Sequence, residues 1–364
     1  MVKTYKIATM FNKNEIKKIL IMRSDGIGDF ILSLPAMDTL RRSFPGAYIV
    51  LFTSNWQEAL AKKIRIFNEI IIWDNSKNYY LTCPTKFKYL SYRMLRYIPR
   101  INSLKFDLAI DYKGDLRNQI IMWLCSIRFR FGFTQRLGRF LLTHPTDYKK
   151  GIHKSTLYWQ LISPLIDSVS MVPYNFVISK EDRQKAENFL LEEGVSEKDR
   201  IIVIHPVARW QAKTWPKEKF AKLSNLLLSL PLIKVIFIGA KEDLPAIIKI
   251  KNIMHGKPII SAERLDFLET AAIIQRAQLF VGNDAAPMHM ANILNIQSIG
   301  LFGPTDPKTS GPQGEKSIVI RKIAGRCPGC FKNKPGKCLY PQDFCMDKIS
   351  VEEVFDICMN YLKN

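Results

Sequence analysis

The chain has 364 residues, 47% of them hydrophobic, which is enough for two domains with buried cores that fold without staples. Lys and Arg number 54 against 33 Asp and Glu, a net charge of +21, so an acidic partner is expected: phosphates, a nucleotide, nucleic acid or an anionic membrane surface. The opening MVKTYKIATMFNKNEIKK lacks the apolar core of a signal peptide, and no stretch reaches the roughly 18 uninterrupted apolar residues of a membrane span, so an intracellular protein is expected, in which an odd count of 7 cysteines argues against a disulfide framework.

In chain order, residues 18–22 (KILIM) form a run of the buried-strand type and SDGIG is a turn. Residues 29–43 then carry Ile31, Leu34, Met37 and Leu40 at helical spacing. Residues 47–52, 70–73, 108–111 and 128–131 are further strand candidates, separated by helical stretches. Between residues 75 and 106 there is no acidic side chain, while Lys77, Lys86, Lys88, Arg93, Arg96, Arg100 and Lys105 alternate with Phe87, Tyr89, Tyr92 and Tyr97. The pattern weakens around 168–179 and then restarts. Residues 201–205 (IIVIH), 234–239 (KVIFIG), 279–282 (LFVG) and 296–302 (IQSIGLF) read as strands, and 216–228, 266–276 and the stretch from Pro287 read as helices. Such alternation predicts parallel sheets covered on both faces. Two doubly wound, Rossmann-like α/β domains are expected, residues 1–175 and 176–364, with a last helix at about 350–362 that packs back on the first domain. Ligands of such sheets sit beyond the carboxyl ends of the strands, so the loops after strands and the cleft between the domains are where chemistry is expected.

Three of those loops carry suggestive residues. In SDGIGDF (24–30), Gly26 and Gly28 allow a tight turn and close approach of a ligand, and Asp29 stands at a helix start, where its charge is favoured. The plain alternative is that Asp29 only caps that helix. The dinucleotide fingerprint would need glycine where Ile31 stands, which disfavours a nicotinamide-dependent dehydrogenase or epimerase. In HPVARWQAKTWP (205–216), Lys213 lies just ahead of a helix and is placed to neutralise a phosphate, unless it is a solvated loop lysine. In VGNDAAPMHMANI (281–293), Asp284 precedes a turn, the amides of Ala285 and Ala286 point at a phosphate site, and His289 is either a ligand contact or a structural histidine. GPTDP (303–307) follows the next strand and overlooks the same region. No D-x-D is present, so a metal bridging a sugar diphosphate has no evident ligands. Cys327, Cys330, Cys338 and Cys345 leave two readings open, a structural zinc site or reduced thiols in a Gly/Pro-rich loop. The charge alone would also suit a nucleic-acid binder, but the basic segment carries no recognised DNA- or RNA-binding motif, and nucleic acid is not the expected partner.

Taken together, RSDGIGDFILSLPAMDTLRRSFP, HPVARWQAKTWP, FIGAKED, GNDAAPMHMANIL and LFGPTDP resemble glycosyltransferase family 9, the lipopolysaccharide heptosyltransferases, from about Lys18 to Val354. The resemblance implies a GT-B fold and inverting transfer of heptose from ADP-heptose to inner-core lipopolysaccharide, with no metal cofactor required. It implies Asp29 as general base, and Lys213, Asp284, Ala285, Ala286 and His289 around the donor phosphates. Glu242 would lie at the nucleotide ribose, and Gly28 with the loop Asp111, Lys113, Arg117 on the acceptor side. Family members often carry Thr-Gly or Ser-Gly where this chain has Ala285-Ala286, which removes a hydroxyl from the phosphate site. A cytoplasmic protein peripheral to the inner membrane follows, with the basic segment docking on the anionic membrane face or on a phosphorylated lipid acceptor.

Overall fold

The computed structural model describes residues 12–73, 96–134, 137–167, 171–323, 338 and 341–363. It separates into two compact units, one ending at Tyr174 and the other starting at Asn175.

The first unit holds β1 (Lys18–Arg23), β2 (Tyr48–Ser54), β3 (Glu69–Trp73), β4 (Leu108–Asp111), β5 (Phe129–Phe133) and β6 (His144–Thr146). Their order is β3-β2-β1-β4-β5-β6, and every pairing is parallel. Ile19 to Met22 in β1 and Ile49 to Phe52 in β2 are fully buried, as befits strands covered on both faces. On one side of the sheet Leu20, Met22, Val50, Phe52 and Ile71 pack with Ile101, Ile121 and Met122 into a single core.

The second unit holds β7 (Arg200–His205), β8 (Ile233–Phe237), β9 (Ile259–Ile260), β10 (Leu279–Asn283), β11 (Ser298–Phe302) and β12 (Ser317–Arg321). The sheet runs β12-β11-β10-β7-β8-β9, again all parallel. Counted from its own first strand this is the same doubly wound order as in the first unit. In both, the chain builds outward on one side of its first strand and then crosses to build on the other. The crossing opens a crevice at the carboxyl ends of the first and fourth strands, β1 and β4 in one unit, β7 and β10 in the other.

The short strands β6, β9 and β12 are absent from the sequence reading. All three are sheet edges, paired on one side only, and two of them are three residues or shorter, so they carry little hydrophobic pattern. The last helix, Val351–Lys363, has its own place in the second unit. Its stripe Val351, Val354, Cys358 and Leu362 is buried in the core of its own unit, where it packs on the helix Lys217–Leu228. Arg200 reaches from the start of β7 to the Leu362 carbonyl oxygen, fastening the far end. Among the described residues no helix is long and apolar enough to cross a membrane.

Candidate active site

At the first crevice, β1 ends at Arg23 and the chain turns through Ser24, Asp25 and Gly26 into the helix Ile27–Ser43. Gln57 pins the turn, its Nε2 donating to the carbonyls of Asp25 at 3.0 Å and Gly26 at 3.3 Å. Gly26 is the N-cap and has no side chain to offer, so Asp29 is the carboxylate of the first turn. Its side chain is 27% exposed, and Lys154 Nζ donates to its Oδ1 at 2.5 Å. Beneath it lies Arg23, only 1% exposed. One Arg23 Nη donates to the Tyr112 carbonyl at 2.7 Å and the other to the Tyr158 hydroxyl at 2.7 Å, with the guanidinium 4.5 Å over the Tyr158 ring. The second Nη also comes within 3.9 Å of Asp29 Oδ1, while Nε lies 2.9 Å from Asp25 Oδ1 but out of line for a hydrogen bond. Burial raises the pKa of the Asp25 carboxyl against the pull of Arg23. For Lys154, burial works against the charge, but the Asp29 carboxylate outweighs it and holds the ammonium above its usual pKa. A carboxylate flanked by two cations and open on one side is placed to take a proton.

The adjacent strand β4 ends at Asp111, paired with Met22 of β1. Asp111 is fully buried. It accepts from the amides of Lys113 at 3.1 Å and Asp115 at 2.8 Å, and from Asn118 Nδ2 at 2.9 Å and Gln119 Nε2 at 3.4 Å. Its carboxyl therefore builds the loop, and burial pushes its pKa up to about 6 despite the Asn118 hydrogen bond. Asp115 caps the helix Leu116–Leu124 through the Arg117 amide. It also gathers both basic side chains of the loop, Arg117 Nε at 2.8 Å and Lys113 Nζ at 3.0 Å. Arg117 lies 5.5 Å over the Trp73 ring as well.

At the second crevice, β7 ends at His205 and leads into a loop anchored by Trp215, which is completely buried. The Trp215 amide donates to Asn283 Oδ1 at 3.0 Å, its indole Nε1 donates to the Ile349 carbonyl at 3.1 Å, and its ring meets Phe220 edge-on at 4.9 Å. So held, the loop brings Lys213 Nζ to 2.6 Å from Asp284 Oδ2, the first residue beyond β10, and to 5.1 Å over the Trp210 ring. His289 Nε2 stands 4.0 Å from the other Asp284 oxygen. The helix Ala286–Ile293 starts at Ala285 with no side-chain cap, and the helix Lys217–Leu228 starts at Pro216 with none either. Both therefore offer the positive ends of their dipoles to an anion. Among the described residues, buried polar atoms in this region without a hydrogen-bond partner include His205 Nδ1, Asn283 Nδ2 and Thr305 Oγ1. They sit at or just past the ends of β7, β10 and β11, three neighbouring strands, where a polar ligand finds donors and acceptors ready. Burial pushes the His205 pKa down to about 4, so the ring is neutral near pH 7.

The structure thus brings together Lys213, Asp284, Ala285, Ala286 and His289 in one crevice, and Gly28, Asp29 and the loop from Asp111 to Arg117 in the other. Glu242 stands exposed in the short turn Lys241–Asp243 after β8, the strand beside β7. In doubly wound folds an acidic side chain near the second strand's end is where a ribose is held. Sequence reasoning missed Arg23, Lys154, Tyr158, His205 and Asn283. Lys154 and Asp29 are 125 residues apart, and no local pattern could link them. Cys345 is buried in the core of the second unit and Cys338 is not in a disulfide, whereas Cys327 and Cys330 lie outside the described residues. Among the described residues no group of three His, Cys, Asp or Glu side chains is placed to hold a metal ion. Of the basic segment, residues 77–95 lie outside the described residues. Further on, Tyr97 packs edge-on against Phe52 at 5.4 Å and Arg100 pairs with Glu69 at 2.7 Å, so these two are tied to the first unit's own surface and core.

The sequence profile of glycosyltransferase family 9 (heptosyltransferase) matches residues 94–339. A lipopolysaccharide heptosyltransferase 3 of Escherichia coli strain K12 is 35% identical over 294 residues, covering 77% of this chain and 80% of the relative. Among solved structures, a glycosyl transferase family 9 protein of Veillonella parvula superposes with a TM-score of 0.79 at 22% identity, covering 95% of this chain and 97% of that one. The E. coli ADP-heptose lipopolysaccharide heptosyltransferase II superposes with a TM-score of 0.75 at 19% identity, covering 95% and 98%. The fold of this chain, two parallel sheets with flanking helices, is the GT-B fold of the heptosyltransferases.

Proposed function

The chain belongs to glycosyltransferase family 9 and is an enzyme that transfers glycosyl groups, and from that premise we propose that it moves heptose from ADP-heptose to an inner-core lipopolysaccharide acceptor, inverting the anomeric centre. One observation carries the division of labour. The crevice of the first unit brings its own half-open carboxylate, Asp29, whereas the crevice of the second leaves two helix ends without side-chain caps and adds Lys213. The first is built to take a proton and the second to receive an anion.

The reaction is a single displacement. An acceptor hydroxyl loses its proton to Asp29 as its oxygen bonds to the anomeric carbon. The bond from that carbon to the diphosphate oxygen breaks, and the nucleoside diphosphate leaves with the electron pair. Negative charge growing on the leaving phosphate is met by Lys213 and the helix ends after Asp284 and Pro216, electrostatic stabilisation of the kind that usually contributes most to such rates. The Lys213 ammonium, with three protons to donate, can meet the phosphate while keeping Asp284. Glu242 takes the ribose hydroxyls. The Ala285-Ala286 pair favours, as a second reading, another nucleotide sugar, because it withholds a hydroxyl from the phosphate site. A thermal-shift panel of sugar nucleotides tests both: ligand at about 100 times its dissociation constant adds about 2.7 kcal/mol, and ADP-heptose should give the largest shift. NMR of the product should show the anomeric configuration opposite to the donor's. A larger shift with another sugar nucleotide would move the assignment to the second reading, and retained configuration would remove the single displacement.

A further inference from the structure

The geometry at the end of β1 points to Lys154 as a positioning residue that holds the Asp29 carboxylate ionised and oriented while the acceptor hydroxyl approaches, an inference that rests on Asp29 being the base. Among the described residues, the groups facing Asp29 include Arg23 from β1, Asp25 from the turn, Lys154 and Tyr158 from the helix Lys154–Ile162, and, acting through Asp25, Lys113 from the loop after β4. Arg23 is already engaged by the Tyr112 carbonyl, the Tyr158 hydroxyl and Asp25, and stays 3.9 Å from Asp29. Lys154 is in direct contact with it, at 2.5 Å. Lys154 and Tyr158 stand four residues apart, one turn of helix, so a single helix delivers both the cation that touches Asp29 and the hydroxyl that seats Arg23.

Stability does not account for this pair. Both side chains are more than a quarter exposed, and half-open ion pairs add little to folding. A neighbouring ammonium does change what the carboxylate can do: it favours the ionised form, so that Asp29 is a competent base at lower pH. Lys154 remains protonated throughout, and after transfer its charge helps the neutral Asp29 acid release its new proton to solvent.

The test compares wild type with Lys154→Met, Lys154→Arg and Asp29→Asn, using ADP-heptose and a heptose-deficient lipopolysaccharide core. The expected result for Lys154→Met is a kcat/KM lower by roughly tenfold to a hundredfold, with the acidic limb of its pH profile moved up by about one unit. Lys154→Arg should restore most of the rate and the limb, and ADP affinity should be the same in all. An unmoved limb in Lys154→Met overturns the inference even if the rate falls, since loss of packing or of an acceptor contact lowers the rate without shifting the titration. If Asp29→Asn turns over like wild type, it is the base assignment that fails. A second measurement needs no turnover: carbon-13 NMR of labelled aspartates, with the Asp29 resonance assigned by its loss in Asp29→Asn. The Asp29 midpoint should rise by about one unit in Lys154→Met, and an unchanged midpoint overturns the coupling.

Discussion

The two units share one strand order and therefore open a crevice at the same place, yet the crevices are chemically opposite. In the first, carboxylates occupy the helix starts: Asp29 in the first turn of Ile27–Ser43 and Asp115 as the cap of Leu116–Leu124. In the second, the corresponding helices begin at Pro216 and Ala285, neither of which caps with a side chain; Lys217–Leu228 has Glu218 in its first turn, but that side chain is exposed, and Ala286–Ile293 has no acidic residue there. Elsewhere in the second unit Ser179 caps Lys180–Glu192 and Asp266 caps Phe267–Arg276 with side chains, while Leu244–Lys251 has no side-chain cap. The difference teaches that topology decides where a site can form, while a few residues just past the strand ends decide whether it supplies charge or receives it.

The sharpest way to break the contrast is to neutralise the charge supplied by the first crevice. Asp29→Asn should lower transfer by roughly a hundredfold to ten-thousandfold while leaving ADP affinity within error of wild type, as read by steady-state kinetics and calorimetry. Wild-type turnover would show that the first crevice is not the catalytic one. The complementary change, Lys213→Ala, should weaken ADP binding by roughly tenfold to a few hundredfold, because it removes a phosphate partner and leaves Asp284 buried without its cation. Unchanged ADP affinity would remove Lys213 from the donor site.

A smaller effect separates the units by pH. His205 has its folded pKa near 4, below the usual value of 6.5, so the unfolded chain binds the proton first. Its contribution is present above about pH 6.5 and is lost as pH falls toward 4, by about 3 kcal/mol at most. Asp111 runs the other way. Its folded pKa near 6 lies above the usual 3.8, so its contribution is present below about pH 4 and is lost as pH rises through 6, by a similar amount. Hydrogen exchange corrected for intrinsic rates, compared in β4 and β7 between pH 4 and about 6.5, should show slopes of opposite sign. His205→Gln and Asp111→Asn should each flatten one of them. Parallel slopes in the wild-type protein would mean that these two groups do not set the response.

The smallest expected effect makes the second crevice resemble the first. Ala285 already has the extended backbone of an N-cap, with φ −149° and ψ 171°, so Ala285→Ser supplies a hydroxyl without rearrangement. It should stabilise the protein by about 1 kcal/mol in denaturant melts. A fall in stability would show that the added hydroxyl does not cap this helix.

Much of this could be read from the chain itself. The central strands β1, β4, β7 and β10 carry dense hydrophobic patterns because both their faces are covered, and the helices that follow them carry a buried apolar stripe. The loops Ser24 to Phe30, His205 to Pro216 and Val281 to Ile293 stand out because glycine, proline and charge interrupt those patterns. What could not be read depends on contacts between distant residues. Asp111 looks like a loop carboxylate ready for a substrate, and only the placement of Asn118 and Gln119 reveals that it is consumed in building the loop. Lys154 looks like any surface lysine until its helix is laid beside β1.

One tie has a practical reach. The indole of Trp215 hangs from the Ile349 carbonyl, and Lys219 holds the same carbonyl at 3.0 Å, just before the final helix closes over the core. The peptide that aims Lys213 is thus suspended from a segment about 130 residues downstream. Trimming that final helix, or straining it with a fused partner, is therefore expected to act as a lesion of the proposed phosphate site, surfacing first as a raised donor KM in an enzyme whose acceptor handling is intact.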